Sequence, residues 1–132
     1  MSTPETLEKY RDLLEGKGYA HLATLMPDGS PQVTPVWFLY DGTHILINTV
    51  VGRTKARNIM KDQRVAVELM DPANPGRYVQ IRGRVVGIDQ AEEAATQVHQ
   101  VARKYTGSDF LWSAPGDVRV LFKILPEKVN GN

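Results

Sequence analysis

The stretch YAHLATLMPDGSPQVTPVWFLYDGTHILINTVV, residues 19–51, decides the fold. Its apolar and β-branched residues fall into three runs of strand length, separated by Pro-Asp-Gly-Ser at 27–30 and by Asp-Gly at 41–42. These are the residue types that tight turns need, because they supply a fixed or a positive φ. The stretch therefore predicts an antiparallel meander of three strands, at 19–26, 31–40 and 44–51.

The sequence on either side of this stretch predicts three helices and three more strands. A helical period runs through the first of these segments, where Thr3 is the expected N-cap and Pro4 suits the first turn. The longest strand carries Gly83 and Gly87, which would let it bend. The helices are expected at 3–16, 53–61 and 90–105, and the strands at 64–70, 77–88 and 118–125.

Six strands that cluster in hairpins, rather than alternating with helices, indicate an antiparallel sheet. We therefore expect a mainly β fold, a small barrel with peripheral helices, and a single domain over residues 1–132. The apolar face of the third helix is expected to begin at Ala91. The last strand is expected to turn Val118, Val120, Phe122 and Ile124 inward.

Composition excludes several classes of function. With 42% hydrophobic and 23% charged residues the chain is globular in composition, and a net charge of +1 removes any argument from overall charge for nucleic acid or anionic lipid. The absence of cysteine excludes disulfides, thiolate metal sites and cysteine nucleophiles. No signal peptide or membrane-spanning run is recognisable, so we expect a cytoplasmic protein with neither a membrane nor a nucleic acid as partner.

The strongest local signal is basic. Five basic residues against one acid occupy positions 52–64, where a strand ends at Gly52 and a helix begins. The free N–H groups at a helix N-terminus, with Arg53 and Lys55 beside them, predict an anion site. A basic helix face that is merely solvated is an equally open interpretation. His21, His44 and His99 are scattered, so no metal site is predicted.

Two weaker features accompany this signal. Arg77, Arg82 and Arg84 form a second basic cluster, which either meets another negative group of a ligand or pairs with acids on neighbouring strands. An apolar run at 35–38 lies beside the strand that ends at 48–50, and a planar aromatic ligand would fit against it. The alternative is that this run, like Trp37 and Trp112, belongs to the core or to an interface.

Several segments, taken in order, resemble the pyridoxamine 5'-phosphate oxidase-like flavoproteins. HLATLMPDGSPQVTPVWF at 21–38 is similar to their first hairpin, and KARN at 55–58 with DQRVA at 62–66 is similar to their phosphate-binding helix and next strand. RYVQIRGR at 77–84 resembles their long strand, and 103–107 and 119–128 resemble the later helix and closing strand. The resemblance implies a six-stranded antiparallel split β-barrel of the FMN-binding type.

Within that family the chain most resembles the branch that uses the deazaflavin coenzyme F420. The resemblance implies a homodimer with the cofactor at the subunit interface, and Lys55 and Arg53 as ligands of the cofactor phosphate. The ring and ribityl region would be lined by Gln32, Thr34, Pro35, Val36, Asn48, Thr49 and Val50. Asn58 matches the motif and either binds the cofactor or braces the helix. Tyr78, Arg82 and Trp112 would reach the partner subunit's site.

Three functions remain open at this stage. The favoured one is an oxidoreductase that transfers a hydride between coenzyme F420 and a small conjugated organic acceptor, with the cofactor performing the chemistry and no acid–base residue assigned. The second is an FMN-dependent oxidase or reductase of the same fold. Oxidation of pyridoxamine phosphate is not expected, because no further basic cluster is assigned to a second phosphate. The third is a small-barrel module that binds single-stranded nucleic acid.

Overall fold

The computed structural model describes residues 2–90 and 92–132. The N-terminal segment forms two short helices, α1 (Thr3–Glu8) and α2 (Arg11–Glu15), instead of the single helix expected over 3–16. The N-cap is Ser2, not Thr3, because the Ser2 side chain accepts the Glu5 N–H. Helix α1 packs against the strand that comes last along the chain, and α2 packs against the third and fifth strands along the chain.

The described residues form one antiparallel sheet of seven strands, one more than expected, in the order β2-β1-β5-β6-β7-β4-β3. The strands are β1 (Ala20–Leu25), β2 (Pro31–Val36), β3 (Leu39–Tyr40), β4 (Ile45–Val50), β5 (Arg64–Asp71), β6 (Asn74–Gln90) and β7 (Arg119–Gly131). The additional strand arises because the segment expected as one strand over 31–40 is interrupted at Trp37 and Phe38.

This interruption also makes the predicted meander wrong. The β1–β2 hairpin lies at one edge of the sheet and the β3–β4 hairpin lies at the other, where β4 pairs with β7. The sheet curls into a half-barrel, so its two edge strands are joined by two residues of chain but are not hydrogen-bonded to each other. We call this gap between β2 and β3 the split.

The core lies on the concave face of the sheet. Side chains such as Phe38, Ile47 and Phe122 are fully buried there. The predicted inward face of β7 is confirmed except at Val118, which precedes the strand and is 49% exposed. The long strand β6 has register shifts at Gly83 and Gly87, and the carbonyl of Leu125 packs so closely on Gly83 that a Cβ would clash.

Two further helices flank the sheet, α3 (Thr54–Lys61) and α4 (Glu92–Thr106), which brings the total in the described chain to four rather than three. Helix α3 contacts β1, while α4 contacts β4, β6 and β7. The expected start of the apolar face at Ala91 lies outside the described residues. Among the helices of the described chain, none combines the length and the apolar character that crossing a membrane requires.

Candidate functional site

A cleft of about 410 Å³ opens beside the split. It is bounded by the end of β2, the end of β4, the start of α3, one face of α4 and the loop at 107–118. Cleft volumes in this range accommodate small ligands and cofactors. The cleft has a cationic end, an aromatic wall and a polar floor, and these three parts are described in turn.

Three basic side chains form the cationic end, Arg53, Lys55 and Arg119. Among the described residues, none of the three forms an ion pair with a carboxylate. Burial, together with the charge of Arg53, lowers the pKa of Lys55 below its ordinary value, and the same two causes lower the pKa of Arg119. A bound anion would stabilise the charged forms of Lys55 and Arg119 and so raise both pKa values again.

The backbone at this end is also suited to an anion. Gly52 has a φ of 97°, the left-handed conformation that glycine adopts readily, and it turns the chain from β4 into α3. The N-cap of α3 is Arg53, whose side chain makes no capping hydrogen bond. The first N–H groups of α3 are therefore free to address the same anion as Lys55.

The aromatic wall is built from Trp37 at the split and from Phe110 and Trp112 in the loop at 107–118. Trp37 and Trp112 meet edge to face with ring centroids 6.0 Å apart, and Phe110 and Trp112 do so at 5.4 Å. Helix α4 fastens this loop, because the Phe110 N–H donates to His99 Nδ1 at 3.1 Å and Arg103 donates to Asp109 at 2.6 Å. The wall offers flat apolar surface to a planar ligand.

The polar floor contains buried atoms that lack hydrogen-bond partners within the described chain. They include Thr49 Oγ1, Asn48 Oδ1 and Arg119 Nε. Asn48 Nδ2 donates to the carbonyl of Ala94 and to Gln97 Oε1, both at 2.8 Å, which leaves Asn48 Oδ1 as a free acceptor. A buried polar atom without a partner costs about 1–3 kcal/mol, so these atoms fit a ligand with polar groups along one edge.

Seven of the residues predicted from the sequence meet in this cleft. Pro35, Val36, Asn48, Thr49, Arg53, Lys55 and Trp112 all line it. They come from four separate segments of the chain, and the curl of the sheet brings them together. Arg57, by contrast, faces a small groove with Met60 and Lys61 on the other side of α3, as its spacing from Lys55 predicts.

The other predicted residues lie elsewhere. Gln32 accepts a hydrogen bond from Thr24, and Thr34 lies two residues before Val36 with a buried hydroxyl that has no partner in the described chain. Val50 is buried beneath the turn into α3, where its carbonyl accepts the Arg53 N–H. Asn58 is buried and donates to Thr24 Oγ1 at 3.0 Å, which makes it a brace between α3 and β1.

The second basic cluster disperses in the structure. Arg84 pairs with Glu127 on the neighbouring strand β7 at 3.0 Å, so the alternative of pairing with an acid across strands is confirmed for Arg84. Arg77 pairs at 2.7 Å with Asp12, which lies on helix α2 rather than on a neighbouring strand. Arg82 lines a different cleft of about 490 Å³ on the outer face of the sheet. Tyr78 lies far along β6, opposite Met70, and does not line the cleft beside the split.

The sequence interpretation missed Arg119, Phe110 and Gln97. Arg119 reaches the cleft because it pairs with Val50 across β4 and β7, a contact between segments 69 residues apart that no local pattern indicates. Phe110 lies in an irregular loop whose path depends on His99 and Arg103. Gln97 is recognisable only once Asn48 is seen opposite it.

A curled antiparallel sheet whose split opens onto a cleft with a cationic end and an aromatic wall defines the split-barrel class of cofactor-binding proteins. A family model described as pyridoxamine 5'-phosphate oxidase matches residues 6–132. The chain belongs to that family, and the solved structures similar to it include an F420 reductase and an FAD-binding protein. No curated protein matched the chain.

Three solved structures illustrate the relationship. An F420 reductase is 34% identical with a TM-score of 0.81, covering 91% of this chain and 94% of its own. A conserved hypothetical protein from Mycobacterium tuberculosis is 27% identical with a TM-score of 0.75, covering 98% and 82%. An FAD-binding protein from Mesorhizobium loti is 25% identical with a TM-score of 0.64, covering 93% and 88%. The split-barrel fold is thereby confirmed.

Proposed function

We propose that the protein is a deazaflavin-dependent reductase that transfers a hydride between coenzyme F420 and a small conjugated organic acceptor. The observation that carries the proposal is the cleft itself, in which three cations without carboxylate partners in the described chain lie beside an aromatic wall. Such a site matches a ligand with a flat heterocycle at one end and a phosphate at the other. Similarity to an F420 reductase at 34% identity supports the choice of cofactor.

In this proposal each part of the cleft has one task. Lys55, Arg53 and the free N–H groups of α3 hold the phosphate, with Arg119 as a further cation. Trp37 and Trp112 exclude water from one side of the ring, and the unpaired atoms of Asn48 and Thr49 meet its polar edge. The bound cofactor supplies the hydride chemistry, and the protein orients it and shields it.

FMN is the second candidate, and a specific observation favours it. The cationic end fits one phosphate, which is all that FMN carries. The resemblance of the sequence to the FMN-binding split barrels points the same way. Similarity to an F420 reductase at 34% identity supports the other cofactor, so we expect F420 to bind more tightly than FMN.

The deciding experiment is a titration of cofactor-free protein with F420 and, separately, with FMN. Two tryptophans lie in the cleft wall, so quenching of their emission reports binding of either compound. Tighter binding of F420, followed by consumption of reduced F420 when a quinone or an enone is added, would support the proposal. Tighter binding of FMN would replace it with the second candidate, and binding of neither would remove both.

We also propose that the protein is a homodimer with the cofactor shared between subunits. Large apolar side chains remain exposed around the cleft, among them Leu111 at 76% and Trp112 at 61%. Val33, on the edge strand β2, is 64% exposed. Exposed apolar surface of this kind marks an interface or a ligand site, and a second copy of the chain would cover it.

A further inference from the structure

The split leaves the backbone N–H and C=O of Phe38 without a strand to pair with. Phe38 lies between β2 and β3, and its ring is fully buried in the core. The two edge strands on either side of it are not hydrogen-bonded to each other. A buried backbone N–H or C=O needs a partner, so the partners of Phe38 must come from another element.

The last turn of α4 supplies both partners. The Phe38 N–H donates to the hydroxyl of Tyr105 at 3.4 Å, and the Phe38 carbonyl accepts from Lys104 Nζ at 3.0 Å. Two consecutive side chains of one helix thus satisfy the backbone N–H and the backbone C=O of one residue.

Tyr105 also fixes the neighbouring tryptophan. Its hydroxyl donates to the Gly18 carbonyl at 2.8 Å, so the ring is tied to the segment before β1 as well as to the split. The ring lies parallel to that of Trp37, with centroids 5.2 Å apart and 5° between the planes. Burial raises the pKa of Tyr105 to about 12, so the hydroxyl remains a donor at any physiological pH.

Lys104 is an unusual choice for this position, because an ammonium group is costly to bury. Its Nζ lies 3.8 Å from the centroid of the Phe38 ring and 4.9 Å from that of Tyr105, so aromatic faces rather than a carboxylate surround the charge. Burial lowers the pKa of Lys104 to about 8. The hydrogen bond to the Phe38 carbonyl and the two aromatic rings offset part of the cost of burying this ammonium group.

We propose that Lys104 and Tyr105 are positioning residues, which hold the split so that Trp37 presents its ring to the cofactor cleft. The inference rests on the proposed function, because the ligand whose binding it affects is the proposed cofactor. Neither residue lines the cleft, so both act through the ring of Trp37 and the backbone of Phe38. Without them the two-residue link at the split would lose its hydrogen-bond partners and the ring of Trp37 would lose its fixed orientation.

The test uses Tyr105→Phe, which keeps the ring and its stack but removes the hydroxyl, and Lys104→Met, which keeps a chain of similar length but removes the donor. Tyr40→Phe is the matched control, since it also removes one hydroxyl that donates to a backbone carbonyl, that of Gly42, away from the cleft. The mobility of Trp37 is measured by time-resolved fluorescence anisotropy without cofactor, in a Trp112→Phe background in which Trp37 is the sole tryptophan. Affinities for F420 and FMN are measured in the background that retains Trp112.

We expect the Trp37 anisotropy to decay faster in both variants than in the parent. We also expect the affinity for whichever of F420 and FMN the parent binds to fall about threefold to tenfold, the usual effect of one lost hydrogen bond. The control should match the parent in both measurements. Unchanged Trp37 mobility in both variants, or faster motion with unchanged affinity, would overturn the inference. If the parent binds neither F420 nor FMN, the proposed function fails, and the anisotropy alone then decides whether Lys104 and Tyr105 fix Trp37. If Tyr105→Phe does not fold, Lys104→Met carries the same comparison.

Discussion

At the scale of single residues, Lys55 is the cation of the cleft on which we expect cofactor affinity to depend most. This side chain is half-buried, lies in the first turn of α3 and shares the cleft with Arg53 and Arg119. Lys61 is on the same helix but is exposed at its far end. The two lysines therefore form a natural pair for comparison, with the same charge and the same helix but different positions.

We predict that Lys55→Ala weakens cofactor binding by about 10- to 150-fold, because a charge-assisted hydrogen bond contributes about 1.5–3 kcal/mol. Lys61→Ala should change affinity by less than about threefold, because the field of the helix terminus fades beyond the first turn. Arg53→Ala should fall between the two. Fluorescence titration at fixed salt measures all three, and equal losses for Lys55 and Lys61 would mean that the segment acts only as a diffuse positive field.

The pKa values of Lys104 and Tyr105 predict an unusual dependence of stability on alkaline pH. The folded-state pKa of Lys104 is about 8, below the ordinary 10.5, so the unfolded chain binds more protons between these values and stability rises with pH there. The pKa of Tyr105 is about 12, above the ordinary 10.0, so stability falls as pH rises between these values. Lys104 should contribute on the order of 1 kcal/mol, reduced from the full shift because the ammonium keeps some access to solvent.

Urea unfolding at pH 7 to 11 measures this profile. Lys104→Met should remove the rise between pH 8 and 10.5, and Tyr105→Phe should remove part of the fall above pH 10. Lys128→Met replaces an exposed lysine and serves as the control, with a profile like that of the parent. A Lys104→Met profile that still rises like the parent's would show that another group titrates in this range.

At the scale of elements, Asn58 holds helix α3 against the sheet. The sequence left two roles for this residue, a cofactor ligand or a brace, and the structure buries its amide against Thr24 and Met26 of the β1–β2 hairpin. We predict that Asn58→Ala lowers the free energy of unfolding by about 1–3 kcal/mol, because it leaves a buried hydroxyl without its donor.

At temperatures where the Asn58→Ala variant is folded, its affinity for F420 or FMN should remain within about threefold of the parent. Asn130→Ala, at an exposed position on β7, should change neither property. The measurements are urea unfolding and fluorescence titration. A large loss of affinity with unchanged stability would make Asn58 a ligand rather than a brace.

The elements also show how much of the fold local sequence predicts. The bounds of β1, β4 and α3 follow from apolar alternation and from Gly29 and Gly52, and the structure confirms each to within about two residues. The break at Trp37 and Phe38 has no such signal, since both residues favour strands. It arises because the fully buried Phe38 ring and the partners on α4 hold the chain out of the sheet. Tertiary contacts thus override local propensity here.

The same limit applies to the site. Four site residues were predictable because a helix start after a glycine and a resemblance of motifs are both local: Arg53, Lys55, Asn48 and Thr49. Arg119 was not, because only the pairing of β4 with β7 brings it to Lys55. The predicted role of Tyr78 depends on a partner subunit, so it stays a prediction until the assembly is known.

At the scale of the whole molecule, we predict a dimer. Sedimentation at micromolar concentration should give twice the chain mass of 14.7 kDa. Leu111→Glu places a charge on the most exposed of the large apolar side chains in the described chain and should shift the protein toward monomer, whereas Glu5→Gln, at an exposed position of α1, should not. A monomer that binds cofactor as tightly as expected would contradict a site shared between subunits.

The order of strands has a consequence for how the chain is made. Strand β4 has only the two-residue β3 on one side, and its long partner on the other side is β7, which follows about 70 residues later. During synthesis β4 therefore leaves the ribosome several seconds before β7, at the usual translation rate of about 5–20 residues per second, and its apolar side chains stay exposed during that time. Chaperone demand should peak in that interval, and codons that slow translation between β4 and β7 should lower the yield of folded protein more than slow codons before β4.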